Sequence, residues 1–215
     1  RIALTALKIV GTRCDAIVGG LMGAAAFMSM WVSNTATAAM MVPIAMAVLN
    51  LVRQSVGGDK LSEGEKGFGI ALMLGIAFAC SIGGVGTIIG SPPNGIYVKF
   101  MEQNYGIEVS LLDWMKVGVP VVLIAMPLSW FLLTKVCFRK TLPEVKGGAE
   151  WVRNELDKLG PMSNGEKAVA VVFLIAVVLW CTSSLLRSLT IGGVKPLAAL
   201  SDNLIAMLCG VSLFC

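Results

Sequence analysis

Residues 29–43 have the sequence SMWVSNTATAAMMVP and lie in the middle of a long uncharged stretch. Between Asp15 and Arg53 the chain has 37 residues without a charged side chain. A single straight helix of that length would measure roughly 55 Å, whereas a helix needs only about 20 residues to cross the apolar core of a bilayer. Two complete spans would leave almost no residues for a turn between them. We therefore predict a re-entrant helical hairpin over residues 14–52, with both ends on one side of a membrane and a polar tip at residues 33–35.

The composition of the whole chain supports a membrane location. Of the 215 residues, 56% are hydrophobic and 14% are charged, and the mean hydropathy is +0.82; a soluble domain has about 25% charged residues. The chain has no histidine, which excludes Ser-His-Asp hydrolysis, histidine-ligated zinc and histidine proton relays. The formal charge of +4 is too small to indicate nucleic-acid binding. We predict an all-α integral membrane protein that is not an enzyme and has no nucleic-acid partner.

A second uncharged interval is also too long for one span, and glycines and prolines interrupt it. It covers the 32 residues between Lys66 and Lys99, with the sequences GGVG at 83–86 and GSPPNG at 90–95. Prolines remove backbone donors, and glycines weaken a helix. We predict a discontinuous transmembrane helix over residues 67–104, broken near residues 90–95. A proline-kinked helix with glycines for close packing is the alternative.

The remaining apolar segments predict ordinary helices and their connections. Uncharged intervals of 18 and 19 residues predict membrane-spanning helices over residues 116–138 and 166–187. A final apolar run predicts a helix over residues 197–215 that is cut short at the end of the sequence. Residues 1–13 mix basic and apolar side chains, as an amphipathic helix at a membrane interface does. The charged residues 139–165 predict a cytoplasmic segment of loop and helix.

The distribution of lysine and arginine predicts the orientation of the hairpin. Residues 135–167 contain seven of these cations and residues 53–66 contain three. The positive-inside rule then places both segments in the cytoplasm, so the hairpin opens to the cytoplasmic side. Three Ser-x-x-acid sequences precede apolar runs, as the capping boxes of helices do: Ser62 with Glu65, Ser110 with Asp113, and Ser163 with Glu166.

The hairpin tip carries the side chains best suited to binding a ligand. Ser33, Asn34 and Thr35 precede an apolar helix that begins near Ala36. A helix N-terminus has unpaired N–H groups and a partial positive charge, which favour an anion. The hydroxyls and the carboxamide can donate to carboxylate oxygens or offer oxygens to a hard cation. Ser29 lies about one helical turn before Ser33 on the same face. Capping of a buried turn is the alternative interpretation.

Polar interruptions of helices within a membrane are a recurring feature of secondary transporters. The two interruptions here resemble those of the divalent anion–sodium symporters, also called INDY-type sodium/dicarboxylate transporters, in their bacterial form. The resemblance rests on SNTATAAMMVPI at 33–44, CSIGGVGT at 80–87 and GSPPN at 90–94. It implies a homodimeric elevator transporter built from inverted repeats. The chain would then hold most of the first repeat and the start of the second.

The resemblance also implies which residues bind the substrate. A substrate carboxylate would contact Ser33, Asn34 and Thr35 at the hairpin tip. Pro92 and Asn94, from the second motif, would belong to the same substrate site. The matching hairpin of the second repeat lies outside these 215 residues, so this chain would hold half of the site.

A sodium ion is the further ligand that the resemblance implies. Its ligands would be Ser29, Ser33, Asn34 and a backbone carbonyl near Gly90, with Gly86 as the other candidate for that carbonyl. Independently of the family, neither interruption contains Lys, Arg, Asp or Glu. A dianion in such a place would be costly without a nearby cation. Sodium can supply that charge, so we expect the ion and the substrate to bind interdependently.

Together these features predict sodium-coupled symport of dicarboxylates such as succinate, or of related divalent anions, across a bacterial inner membrane. A sodium-independent anion exchanger on the same scaffold, and a channel, are the alternatives within transport. An intramembrane serine protease would need a base to activate Ser33. Such a base is not visible in this interval, because Lys8, Arg13 and Arg53 lie outside it.

Overall fold

The computed structural model describes residues 13–56, 63–138, 160–188 and 202–213, with positions 5, 7, 153–154 and 157–158. The helices are α1 (Cys14–Ser29), α2 (Asn34–Val56), α3 (Glu63–Gly83), α4 (Pro92–Tyr105), α5 (Leu111–Phe131, continued by a π-helical segment at Leu132–Cys137), α6 (Asn164–Ser188) and α7 (Asp202–Ser212). The predicted interfacial helix at 1–13 and the predicted cytoplasmic segment at 139–165 lie largely outside the described residues.

Several of these helices have the length and composition of membrane spans. Among the described residues, three helical stretches are long and apolar enough to cross a bilayer: Lys66–Gly83, Leu111–Cys137 and Asn164–Ser183. This confirms the prediction of an all-α membrane protein. The apolar helices of the hairpin, Cys14–Ser29 and Asn34–Asn50, are shorter. The 16 residues of α1 measure about 24 Å, and the 23 residues of α2 measure about 35 Å.

The hairpin formed by α1 and α2 packs against α3. Contacts between α1 and α3 are the most extensive, and α2 also contacts α3. Side chains that are essentially fully buried fill the space between them: Leu21, Met22, Met41, Val48, Phe68 and Leu72. Lipid is as apolar as these side chains, so close packing holds such helices together. A Cβ atom on Gly83 would lie 2.2 Å from the Ala26 carbonyl oxygen, so glycine is what allows the end of α3 to reach α1.

The interruption between α3 and α4 begins before the two prolines. Residues 84–91 form turns, and Ser91 has extended backbone geometry at the N-cap of α4. Pro92 and Pro93 occupy the start of α4. Proline is favoured there because its missing N–H would have no helical partner. The glycine-rich residues therefore form the break, and the prolines start the next helix.

The end of α5 holds the beginning of the hairpin in place. The Lys135 Nζ atom lies 2.6 Å from Asp15 Oδ2, and Trp130 Nε1 donates to the Asp15 carbonyl oxygen at 2.8 Å. Arg13 Nε lies 3.3 Å from Asp15 Oδ1. Partial burial raises the pKa of the Asp15 carboxyl group. The hydrogen bond and charge of Lys135, with the charge of Arg13, outweigh that effect and hold the pKa below 3.8, its ordinary value.

The chain divides into two units. One comprises residues 1–109 and 113–159, and it contains the hairpin, α3, α4 and most of α5. The other comprises residues 110–112 and 160–215, and in it α6 and α7 pack against each other. The backbone N–H of Ser163 donates to Glu166 Oε2 at 2.8 Å, and that of Glu166 donates to Ser163 Oγ at 3.2 Å. This confirms the capping box predicted at the start of α6.

Candidate functional site

Four oxygen atoms converge where the hairpin tip meets the interruption between α3 and α4. They are Ser29 Oγ, Asn34 Oδ1 and the backbone carbonyl oxygens of Cys80 and Gly90, and they are called the oxygen cluster below. Ser29 Oγ lies 2.6 Å from Asn34 Oδ1 and 2.7 Å from the Cys80 oxygen. The same end of the Asn34 carboxamide lies 3.0 Å from the Cys80 oxygen and 3.2 Å from the Gly90 oxygen. With Oδ1 facing inward these four atoms carry one hydrogen, that of the Ser29 hydroxyl, whereas the reversed amide brings Nδ2 within donating distance of the other three.

The chemistry of the oxygen cluster fits a sodium ion. Oxygen atoms that share one hydrogen are poorly satisfied by one another. A small cation between them would accept electron density from all four. Neutral hydroxyl, amide and unwound carbonyl oxygens are the ligands that transporters use for sodium. Among the described residues, groups of three or more His, Cys, Asp or Glu side chains that could hold another metal are absent.

Helix ends give the two sides of Asn34 opposite electrostatic character. Ser29 is the last residue of α1, and Cys80 lies in the last turn of α3. Helix C-termini carry partial negative charge and therefore favour a cation. Asn34 is the first residue of α2, where unpaired N–H groups and partial positive charge favour an anion. The Nδ2 atom of Asn34, as placed, faces only hydrogen-bond donors. A cation-favouring and an anion-favouring region thus adjoin at one side chain.

Glycine at position 84 makes room for the Asn34 carboxamide. A Cβ atom on Gly84 would lie 2.3 Å from Asn34 Oδ1 and 3.0 Å from Asn34 Nδ2. Both distances are shorter than van der Waals contact. A side chain at this position would therefore displace the Asn34 carboxamide from the place that it occupies beside the interruption.

Two buried polar side chains hold the interruption in shape. Thr87 is fully buried; its hydroxyl donates to the Met30 carbonyl oxygen and accepts from the Gly90 N–H at 3.1 Å. Asn94 is also buried, and its Nδ2 donates to the carbonyl oxygens of Gly84 and Thr87, each at 2.8 Å. These bonds satisfy backbone groups that the broken helix leaves without partners. They also fix the Gly90 carbonyl relative to the hairpin.

Comparison with known proteins places this chain in a family. Residues 1–214 match the model of the sodium:sulfate symporter transmembrane region. The chain belongs to this family. It is 37% identical over 215 residues to a protein of Staphylococcus saprophyticus named sodium-dependent dicarboxylate transporter SdcS, and 34% identical over 214 residues to proteins of that name from Staphylococcus aureus strains USA300 and NCTC 8325. These alignments cover all of this chain and 40% of each relative.

Membership of the symporter family confirms the resemblance drawn from the two motifs. It also agrees with the three apolar helices, and the protein is an integral membrane protein. The chain spans about 40% of the length of these relatives.

The structure brings together only some of the residues that the sequence predicted for the symporter site. Ser29, Asn34 and Gly90, predicted as sodium ligands, lie together in the oxygen cluster. Ser33 is exposed, and its Oγ accepts from the Ala36 N–H at 3.4 Å, as an N-cap residue does. The other residues predicted for the substrate differ in exposure: Thr35 and Pro92 are exposed, whereas Asn94 is buried.

Sequence reasoning missed several groups that shape this site. Cys80 contributes a backbone oxygen, for which its side chain gives no signal. Trp114 Nε1 donates to the Val85 carbonyl oxygen at 2.8 Å and so holds the interruption from α5. The role of Thr87 could have been predicted from the sequence, because a hydroxyl within a glycine-rich break of an apolar segment has few partners except backbone groups.

Proposed function

We propose that the protein carrying this chain couples sodium to the transport of dicarboxylates, or related divalent anions, by symport. The observation that supports this most strongly is the oxygen cluster of Ser29, Asn34, Cys80 and Gly90 beside the N-terminus of α2. The cluster suits a sodium ion, and the helix N-terminus suits a carboxylate. The relatives named sodium-dependent dicarboxylate transporters agree with this assignment.

Charge balance explains why the two ligands would move together. The uncharged intervals at residues 16–52 and 67–98 include every residue of the hairpin tip and of the interruption. A dianion alone at this depth would have no fixed protein cation nearby, and sodium alone would have no anion. Each ligand lowers the cost of binding the other, and this coupling is reciprocal.

The side chains divide into three roles in this proposal. Ser33, Asn34 and Thr35 donate to a substrate carboxylate, and Pro92 contacts the substrate without donating, because proline has no N–H. Ser29, Asn34 and the carbonyl groups of Cys80 and Gly90 hold sodium. Asn94 acts behind the site, because its Nδ2 hydrogen bonds hold the interruption.

The remaining features of the proposal follow from the family resemblance. The transporter would be a homodimer in a bacterial inner membrane, built from inverted repeats and working by an elevator movement. A second hairpin would complete the binding site. The described hairpin would be re-entrant and open to the cytoplasm, as the distribution of cationic residues indicates.

Transport in proteoliposomes tests this proposal. Protein of natural length is reconstituted, and uptake of labelled succinate is compared under an inward sodium gradient and in equimolar potassium. We expect uptake only with sodium. The same initial rate in potassium would refute sodium coupling. Succinate counterflow that proceeds without sodium would instead identify an exchanger.

A further inference from the structure

The carboxamide of Asn34 can take two orientations, and without a cation it satisfies the oxygen cluster only when Nδ2 points inward. As placed, its Oδ1 faces acceptor groups and its Nδ2 faces donors. Turning the amide over would bring the two hydrogens of Nδ2 within reach of three acceptors: Ser29 Oγ at 2.6 Å, the Cys80 oxygen at 3.0 Å and the Gly90 oxygen at 3.2 Å. The torsion of an asparagine amide has roughly two-fold preferences. Both orientations therefore fill nearly the same space, and they differ in which end faces the oxygen cluster.

We propose that the Asn34 carboxamide rotates when sodium binds, and that this rotation links the ion to the substrate. In the sodium-free protein Nδ2 points into the oxygen cluster and donates to the carbonyl groups in place of the ion. When sodium binds, Oδ1 becomes one of its ligands and Nδ2 turns outward. This inference rests on the proposed function, because it assigns a regulatory step to the same site.

The rotation changes the group that faces an incoming carboxylate from an acceptor, Oδ1, to a donor, Nδ2. With sodium bound, Nδ2 joins the donors that it faces in the present geometry, and a carboxylate oxygen can accept from all of them. Without sodium, Oδ1 satisfies those donors itself and turns its lone pairs towards the carboxylate. Sodium thus changes the affinity for the anion through one side-chain bond as well as through its charge. The effect is limited by the difference in sodium affinity between the two orientations.

If the carboxamide does not rotate and Oδ1 always stays in the oxygen cluster, the stability of the sodium-free protein depends more strongly on the Ser29 hydroxyl. In that case the Ser29 hydroxyl supplies the one hydrogen of the sodium-free cluster, and its removal leaves three acceptors facing one another. If the amide rotates, Nδ2 still donates to the Cys80 and Gly90 carbonyl groups after the hydroxyl is lost. The two cases therefore predict different stabilities for a Ser29→Ala variant without sodium.

The test measures the melting temperature of the natural-length protein, without substrate, in choline buffer and along a sodium titration. For Ser29→Ala we expect a sodium-free Tm within about 2 °C of the wild type, and a sodium midpoint raised about tenfold. For Asn34→Asp we expect a sodium-free Tm lowered by about 5 °C, because a carboxylate cannot donate to the carbonyl groups. Sodium restores that loss, because a carboxylate oxygen is a good sodium ligand.

Asn94→Asp is the matched control. It makes the same chemical change at a second buried carboxamide beside the interruption, and it removes donors from the carbonyl groups of Gly84 and Thr87. We expect its Tm to fall in choline and to stay low in sodium, since Asn94 does not belong to the oxygen cluster. Recovery of this variant in sodium would show that the ion stabilises the whole break, and would overturn the special role of Asn34.

Equilibrium binding of labelled succinate gives a second readout. At saturating sodium, Asn34→Asp lacks the outward Nδ2 donor, and we expect its succinate affinity to fall about tenfold or more. Ser29→Ala keeps that donor. We expect its succinate affinity to be within about threefold of the wild-type value once the sodium concentration is high enough to saturate the ion site.

The outcomes separate the rotation from the function on which it rests. A sodium-free Tm of Ser29→Ala as low as that of Asn34→Asp would overturn the rotation, as would wild-type succinate affinity in Asn34→Asp; both would leave sodium coupling intact. If sodium changed neither the Tm nor the succinate affinity of the wild type, the proposed function itself would fail.

Discussion

Replacing Gly84 with alanine tests whether the close approach of the broken helix to the hairpin tip sets sodium affinity. The added Cβ would lie 2.3 Å from Asn34 Oδ1 and 3.0 Å from Asn34 Nδ2. Optimal contacts between non-bonded carbon atoms are about 3.5–4.0 Å, so relief of the overlap moves the carboxamide by about 1 Å. The carboxamide is the end of a side chain, and it can move without rebuilding the backbone. The protein therefore still folds, and the cost falls on the oxygen cluster.

The size of the effect follows from what the carboxamide loses. Overpacking a well-filled site costs about 1–3 kcal/mol. Each 1.4 kcal/mol corresponds to about a factor of ten in affinity, so we expect sodium affinity to fall roughly 5- to 150-fold. Succinate affinity at a fixed, subsaturating sodium concentration falls with it, because the two are linked.

The assay is a sodium titration followed by the rise in Tm or by binding of labelled succinate. Gly95→Ala is the matched control, because a Cβ at that position in α4 meets nothing within 4 Å. We expect the control to keep the wild-type sodium midpoint. If Gly84→Ala had the same sodium midpoint as Gly95→Ala, the contact between position 84 and the Asn34 carboxamide would not shape the ion site.

Two further predictions concern the supports of the site. Thr87→Val keeps the shape of the side chain but removes the hydroxyl that bonds the Met30 carbonyl and the Gly90 N–H. We expect the unfolding free energy, measured by chemical denaturation, to fall by about 1–3 kcal/mol. Thr87→Ser retains the hydroxyl, and we expect it to keep most of the wild-type unfolding free energy. Asp15→Asn removes the charge paired with Lys135, and we expect a lower Tm at pH 7. The folded-state pKa of Asp15 is lowered, so its contribution is present above the unfolded pKa and disappears as pH falls through the folded one. The Tm difference from the wild type therefore closes in acid, and a difference independent of pH would contradict the ion pair.

The elements that the sequence predicted well depend on neighbouring residues. The capping box at the start of α6 involves Ser163 and Glu166, three positions apart, and helix geometry alone brings them together. The glycines at 83–86 likewise weaken a helix wherever it packs. Ser29 and Asn34 were expected to share a sodium ion because of the resemblance to the symporter family.

The position of the break was less predictable than its existence. The prolines at 92 and 93 look like the interruption in the sequence, but they begin α4. Proline is compatible both with a break and with the first turn of a helix. The conformational preference of proline therefore does not show whether residues 92 and 93 form the break or begin the next helix.

The amino-acid sequence by itself determined an apolar, helical membrane protein with two polar interruptions and the side-chain oxygens of Ser29 and Asn34. Only the tertiary structure decided which backbone oxygens join them. Ser29 and Cys80 are 51 positions apart, and every residue has a carbonyl group, so residue type cannot mark the one at Cys80. The family resemblance suggested a carbonyl near Gly90 but left Gly86 as the other candidate. The path of the chain through the break selects them, and the same path turns Asn94 inward to the backbone.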